Sequence, residues 1–271
     1  MTSKLVIMLA VSAAVATLGY GASNANPPKG FTGSVNIPLW ENGQVPLAKG
    51  DGPLDRPFLT VFEPPAGKRN GGSVVIAPGG SNIMLMYGCE GVEVAEHYND
   101  WGVTAFVLTY RLAPRYGEDA RLLDAKRAMQ VVRQHAAEYS LDAKKVGFIG
   151  FSAGSSLARA LASATASTHN DERPDYLGLV YGPGRPGTGE QLKDFPPTFL
   201  LAAEFDKGAS IGSAQLFSDL TKAGAPAEIH IYQKGRHGFG TGFASANFSD
   251  WMGRLEHFLR YDGFLPGGGV E

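Results

Sequence analysis

The sequence predicts a three-layer α/β sandwich, a mostly parallel sheet covered by helices on both faces. Three observations lead there. Short apolar runs of strand length alternate along the chain with longer stretches of helical periodicity. Several strand candidates are apolar almost throughout, as strands covered on both faces are. One of them turns directly into a helix across Gly150-Phe151-Ser152-Ala153-Gly154, a G-x-S-x-G corner with serine at its point.

Taken in order, Lys4 precedes an apolar stretch from Leu5 to Leu18, followed by a small-x-small site at Ser23-Asn24-Ala25. This reads as a signal peptide over residues 1–25, with one mature domain over 26–271 that is secreted or periplasmic. The stretch is shorter than the ~20 residues of a membrane span, so no stable membrane anchor is expected. The chain has 271 residues and a net charge of -2, which argues against nucleic acid or an anionic membrane as partner. With 44% hydrophobic residues it can bury one sizeable core. A single cysteine, Cys89, excludes an intramolecular disulfide and a cysteine-based metal cluster.

Arg56–Pro65 and Gly71–Gly80 read as strands joined by the turn Gly67-Lys68-Arg69-Asn70. "GVEVAEHYNDWG" reads as a helix and "VTAFVLTYRLAP" as a buried strand ending at Pro114. Glu118–Tyr139 is expected to be one long helix, with Leu122, Ala125, Met129, Val132, Ala136 and Tyr139 on one face. Val146–Ile149 is a strand, and the helix after Ser152 follows it. Leu177–Tyr181, Thr198–Ala202 and Glu228–Tyr232 are further strands, with helices near Ile211–Ala223 and Asp250–Tyr261. Ligands of such sheets sit beyond the carboxyl ends of the strands, where the Ser152 corner lies.

A corner that tight strains the central residue and leaves no room for neighbouring side chains, which explains the flanking glycines. Ser152 is therefore the candidate nucleophile. Its base must be one of six histidines. His97, His135 and His257 lie in helices, His230 alternates within a strand, and His169 sits in a polar loop. His237 follows the last strand between Gly235 and Gly238, in a loop able to turn back over the sheet and bring an imidazole within ~3 Å of a hydroxyl. The acid belongs between them in chain order. "PPTFLLAAEFDKGAS" offers both Glu204 and Asp206 just after a strand.

"APGG", "TYRLAP", "DAKRAMQVVRQHAAEY", "GFSAG", "PPTFLLAAEFD" and "AEIHIYQKGRHGFG" occur in an order and spacing that resemble the α/β-hydrolase esterases close to acetyl xylan esterases and other carbohydrate acetylesterases. With "IPLW" at Ile37, the resemblance covers Ile37 to Leu265. It implies an α/β-hydrolase fold and names Asp206 as the acid, the start of the family's D-x-x-V-P stretch, although Ala209-Ser210 stand here for Val-Pro. The shorter aspartate side chain also holds a fixed partner with less loss of rotamer freedom. The family's P-G-G-G loop reads Pro78-Gly79-Gly80-Ser81 here, and its histidine before Glu-Gly is Cys89. The resemblance thus implies an oxyanion hole made by the N–H groups of Gly80, Ser81 and Ala153.

The chemistry expected is acyl transfer by Ser152, His237 and Asp206, which requires no metal and no organic cofactor. The stretch between Tyr181 and Thr198 is too short for a helical cap domain, and an open cleft suits a small acyl group on a bulky polar alcohol such as a sugar. The expected partner is a small-molecule or polysaccharide ester. "IMLMYG", Ile83–Gly88, is either one wall of the cleft or a buried connection. Three other readings differ in what they require. A dienelactone-type hydrolase would carry cysteine at the elbow, a secreted peptidase would usually carry a large extra domain, and a non-catalytic binding module would have lost a member of the triad.

Overall fold

The structure is a computed structural model that describes residues 35–167, 170–182, 192–242, 248 and 250–267. The expected signal peptide, His169 and most of the connection between Tyr181 and Thr198 lie outside the described residues.

The described residues open with the strands β1 (Val35–Pro38), β2 (Phe58–Phe62) and β3 (Ser73–Ala77). Helix α1 (Glu93–Asp100), strand β4 (Thr104–Thr109) and helix α2 (Glu118–Gln134) follow. Then come β5 (Val146–Phe151), α3 (Ala153–Thr165), β6 (Leu177–Val180) and β7 (Thr198–Ala203). Helix α4 (Lys207–Ala223), strand β8 (Ala227–Tyr232) and helix α5 (Trp251–Tyr261) complete the described elements. The eight strands form one sheet in the order β1-β2-β4-β3-β5-β6-β7-β8. β2 pairs antiparallel with β1 and β4, and the remaining pairs are parallel.

Alternation along the central strands divides the core in two. Val75 and Ala77 of β3 face one side with Ala125 and Met129 of α2, Leu157 and Leu161 of α3, and Leu216 and Leu220 of α4. Val74 and Ile76 face the other side with Val94 and Tyr98 of α1 and Trp251 and Leu255 of α5. Each central strand is covered on both faces, which is why its sequence is apolar without a break.

The two strands joined through Gly67–Asn70 are not neighbours in the sheet, because β4 inserts between β2 and β3. Two local expectations are revised. The strand expected to reach Pro114 leaves the sheet after Thr109, its last paired position opposite Phe58. Beyond it, Tyr110 donates to the carbonyl of Pro78 (2.7 Å) and the Ala113 N–H donates to that of Asn82 (2.7 Å). Arg111 is buried against Asp124 at 2.7 Å. The "YRLAP" segment is therefore a brace beneath the Pro78–Asn82 loop rather than more strand. The long helix ends at Gln134 and not at Tyr139, since His135 turns out of helical geometry at φ −93° and ψ 11°. Tyr139 prolonged the apolar pattern because it reaches the same core from the turn, its ring edge-on to Phe106.

Candidate active site

Ser152 follows the last residue of β5, in the middle of the sheet, and begins α3. Its backbone takes φ 53° and ψ −114°, a conformation that a residue with a side chain holds only where its surroundings impose it. Both flanking glycines are required by close approach. A Cβ on Gly150 would fall 2.1 Å from the Gly154 carbonyl oxygen, and one on Gly154 would fall 2.0 Å from that of Ala77. The corner thus brings the start of α3 against the end of β3 and turns the serine side chain toward the strand ends.

The three expected side chains meet there. The Ser152 Oγ lies 2.7 Å from His237 Nε2, and His237 Nδ1 hydrogen-bonds Asp206 Oδ2. With Nδ1–H donated to the carboxylate, Nε2 is left with the lone pair that can take the serine proton. Asp206 also caps α4, its Oδ1 accepting the Ala209 N–H at 3.3 Å. One oxygen orients the carboxyl group while the other holds the imidazole. Glu204, the alternative acid, instead accepts the Lys234 N–H at 3.3 Å through Oε2. The Ala209-Ser210 departure leaves the turn intact, because the Ser210 N–H donates to the Asp206 carbonyl at 2.8 Å. Of the other histidines, His230 pairs with Glu228 and His135 bonds the Val131 carbonyl.

The loop after β3 approaches the nucleophile through Gly79, where a Cβ would fall 2.7 Å from that of Ser152. Gly80, Ser81 and Asn82 all have positive φ, at 130°, 57° and 61°. Among the described residues, the N–H groups of Gly80 and Ser81 donate to no other group. Ala153 N–H, at the first position of α3, has no partner within its own helix. The cleft beside Ser152 encloses about 300 Å³, open to solvent. Ala153, Asp206 and His237 line it together with Ser156, Tyr181, Gly208 and Ala209. Gly80 and Ser81 do not. Ile83, Met84 and Met86 are exposed, so "IMLMYG" is not a buried connection, yet it lies outside the cleft lining as well.

Sequence reasoning missed the role of Tyr181, which it read only as a strand end. Its ring packs on His237 at 5.0 Å and on Phe239 at 4.7 Å between centroids. Its hydroxyl donates to Glu90 Oε1 (2.7 Å) and accepts the Gly240 N–H (3.2 Å). Glu90 Oε2 in turn accepts the Gly79 N–H at 2.6 Å. Burial pushes the Glu90 carboxyl above the usual carboxylate range, against the pull of these two donors and of His237 nearby. Burial likewise drives the Tyr181 hydroxyl far up, with the neighbouring Glu90 adding to it.

Comparison with known proteins bears on the family and the fold. A family model described as α/β hydrolase fold matches residues 79–190, from the Gly79 loop past the serine elbow. An acetyl ester-xyloside bifunctional hydrolase from Caldicellulosiruptor lactoaceticus superimposes with a TM-score of 0.75 at 30% identity, covering 86% of this chain and 97% of that one. An acetylxylan esterase of Xylanibacter ruminicola is 26% identical over 205 residues, 64% of this chain and 42% of that protein. Endo-1,4-beta-xylanase B of Butyrivibrio fibrisolvens is 26% identical over 221 residues, 66% of this chain and 34% of that protein. The chain thus spans less than half the length of the curated relatives it matches. Among the described residues, no helix is long and apolar enough to cross a membrane. An eight-stranded sheet with a serine elbow, and 30% identity across nearly all of a solved acetyl-ester hydrolase, make this chain a member of the α/β-hydrolase family of esterases.

Proposed function

We propose that the protein is a serine esterase that removes short acyl groups, acetyl foremost, from carbohydrate alcohols. The observation that carries this reading is the hydrogen-bonded series Ser152–His237–Asp206 at a strained strand-to-helix corner. In the proposed mechanism His237 Nε2 takes the Ser152 proton as Oγ attacks the ester carbonyl. Asp206 stabilises the imidazolium that forms. Charge developing on the carbonyl oxygen meets the Ala153 N–H, which lines the cleft, and in this proposal also the N–H groups of Gly80 and Ser81 on the loop beyond the lining. His237 then returns the proton to the leaving alcohol, and water repeats the sequence on the acyl-serine.

The walls next to Ser152 support a short acyl group and a polar alcohol. Ala153, Ser156, Gly208 and Ala209 are small or hydroxylated, and the cleft opens to solvent rather than into an apolar tunnel. The names of the relatives, an acetylxylan esterase and an acetyl ester-xyloside hydrolase, point the same way. Residues 1–25 complete the proposal as an export signal. N-terminal sequencing of the exported protein is expected to read from Asn26, and retention of Met1 would contradict that part.

The substrate class is tested by acetate release from acetylated xylan beside a p-nitrophenyl ester series. We expect acetate release, and a kcat/KM that falls by ~10-fold or more between acetyl and octanoyl esters. Values that rise with chain length would reject the short-acyl assignment. A folded protein inert toward every ester would favour the binding-module reading instead.

A further inference from the structure

We propose that Glu90 is a positioning residue of this site: its buried carboxylate locks the Gly79 loop and, through Tyr181, the Gly240 turn of the histidine loop. The inference rests on the esterase reading and adds to it a residue that neither touches the ester nor belongs to the triad.

Glu90 is only 3% exposed, yet each of its oxygens has a donor drawn from a different part of the site. Oε2 takes the Gly79 N–H from the loop that lies against Ser152, and Oε1 takes the Tyr181 hydroxyl from the end of β6. That hydroxyl receives the Gly240 N–H, three residues beyond His237, and the Gly240 carbonyl accepts from Trp251 Nε1 at 3.1 Å. Two donors at 2.6 and 2.7 Å, one on each oxygen, are the pattern of an ionised carboxylate, which only accepts.

Strained positions lie on and beside the two partners of Glu90: Tyr181 is one of them, and Gly80, Ser81 and Asn82 directly follow Gly79. Ser81, Asn82, Ser152 and Tyr181 all hold positive φ without being glycine. Such conformations persist where surrounding contacts over-determine them, and they gather at functional sites. Glu90 itself sits in a single π-helical turn, Gly88–Val92, where the Val92 N–H reaches back to the Tyr87 carbonyl. Turns of this kind frequently mark functional positions, because the extra residue re-aims a side chain that a regular helix would place elsewhere.

The test measures KM and kcat for p-nitrophenyl acetate in the wild type, Glu90→Gln and Tyr181→Phe, with kcat expressed per Ser152 that a fluorophosphonate labels to completion. A glutamine keeps the shape but accepts from only one of the two donors. For Glu90→Gln we expect kcat to fall at least ~10-fold with KM changed less than ~3-fold, since positioning acts on the reacting state. Tyr181→Phe removes the donor to Glu90 Oε1 and should lower kcat per labelled site in the same way. A Glu90→Gln enzyme with wild-type kcat per labelled site overturns the inference alone. Activity lost only in proportion to the serine that no longer labels overturns it in favour of a merely structural glutamate. Should Glu90→Gln fail to fold by circular dichroism, Tyr181→Phe decides: a lowered kcat supports the inference and a wild-type kcat overturns it. A wild type inert toward the ester overturns the esterase reading and this inference with it.

Discussion

Ser152→Ala is expected to remain folded and to lose ester hydrolysis by a factor on the order of 10⁴ or more. The two parts of that expectation have separate causes. Activity goes because the hydroxyl is the atom that forms the acyl bond, and no other group in the cleft takes its place beside His237 Nε2 at 2.7 Å. The fold stays because alanine carries the same Cβ at φ 53°, so the backbone strain is unchanged. The side chain faces an open cleft rather than the core, so its loss leaves no buried cavity. Stability is expected within about 0.5–1 kcal/mol of the wild type. Measuring kcat/KM for p-nitrophenyl acetate alongside a thermal melt checks both parts. Substantial hydrolysis by a well-folded Ser152→Ala protein would remove the serine from the mechanism.

Asp206→Asn is expected to be nearly as damaging, up to ~10⁴ in kcat. An amide opposite His237 Nδ1 favours the tautomer with its proton on Nε2, where the serine proton should go. Asparagine caps a helix about as well as aspartate, so the hydrogen bond to the Ala209 N–H survives. The substitution thus separates orientation of the imidazole from stability of α4. Glu204→Gln should cost little, because an amide oxygen can still accept the Lys234 N–H that Glu204 holds. Comparing the two variants under the same assay decides the acid. A damaging Glu204→Gln with a nearly silent Asp206→Asn would assign that role to Glu204.

The parts of this site that were legible in the sequence are those written in local pattern. The elbow announces itself because a strand, a G-x-S-x-G and a helix must follow one another within a few residues. His237 stood out because its loop is bracketed by glycines after the last strand. Asp206 needed more than local pattern, since Glu204 lies two residues away after the same strand. What separates them is three-dimensional: one oxygen of Asp206 is fixed by the turn into α4 and the other is left for the imidazole. The sheet order was not legible, because the insertion of β4 between β2 and β3 depends on pairing partners far apart in the chain. β1 was missed for a related reason, as a four-residue edge strand shows little periodicity. Tyr181 carried no motif, and Glu90 stood in the family's Glu-Gly pair with no role attached to it. Their contact spans 91 positions and exists only once β6 and the turn before α1 are side by side.

The central claim, that Ser152 is the covalent nucleophile activated by His237, is tested most directly by trapping the nucleophile. The protein would be treated with a fluorophosphonate and its adduct mapped by peptide mass spectrometry, in the wild type and in His237→Ala. The account predicts a single adduct on Ser152, formed in step with loss of esterase activity, and strongly slowed without His237. An adduct on any other residue that abolishes activity, or labelling of Ser152 at an undiminished rate in His237→Ala, would contradict it.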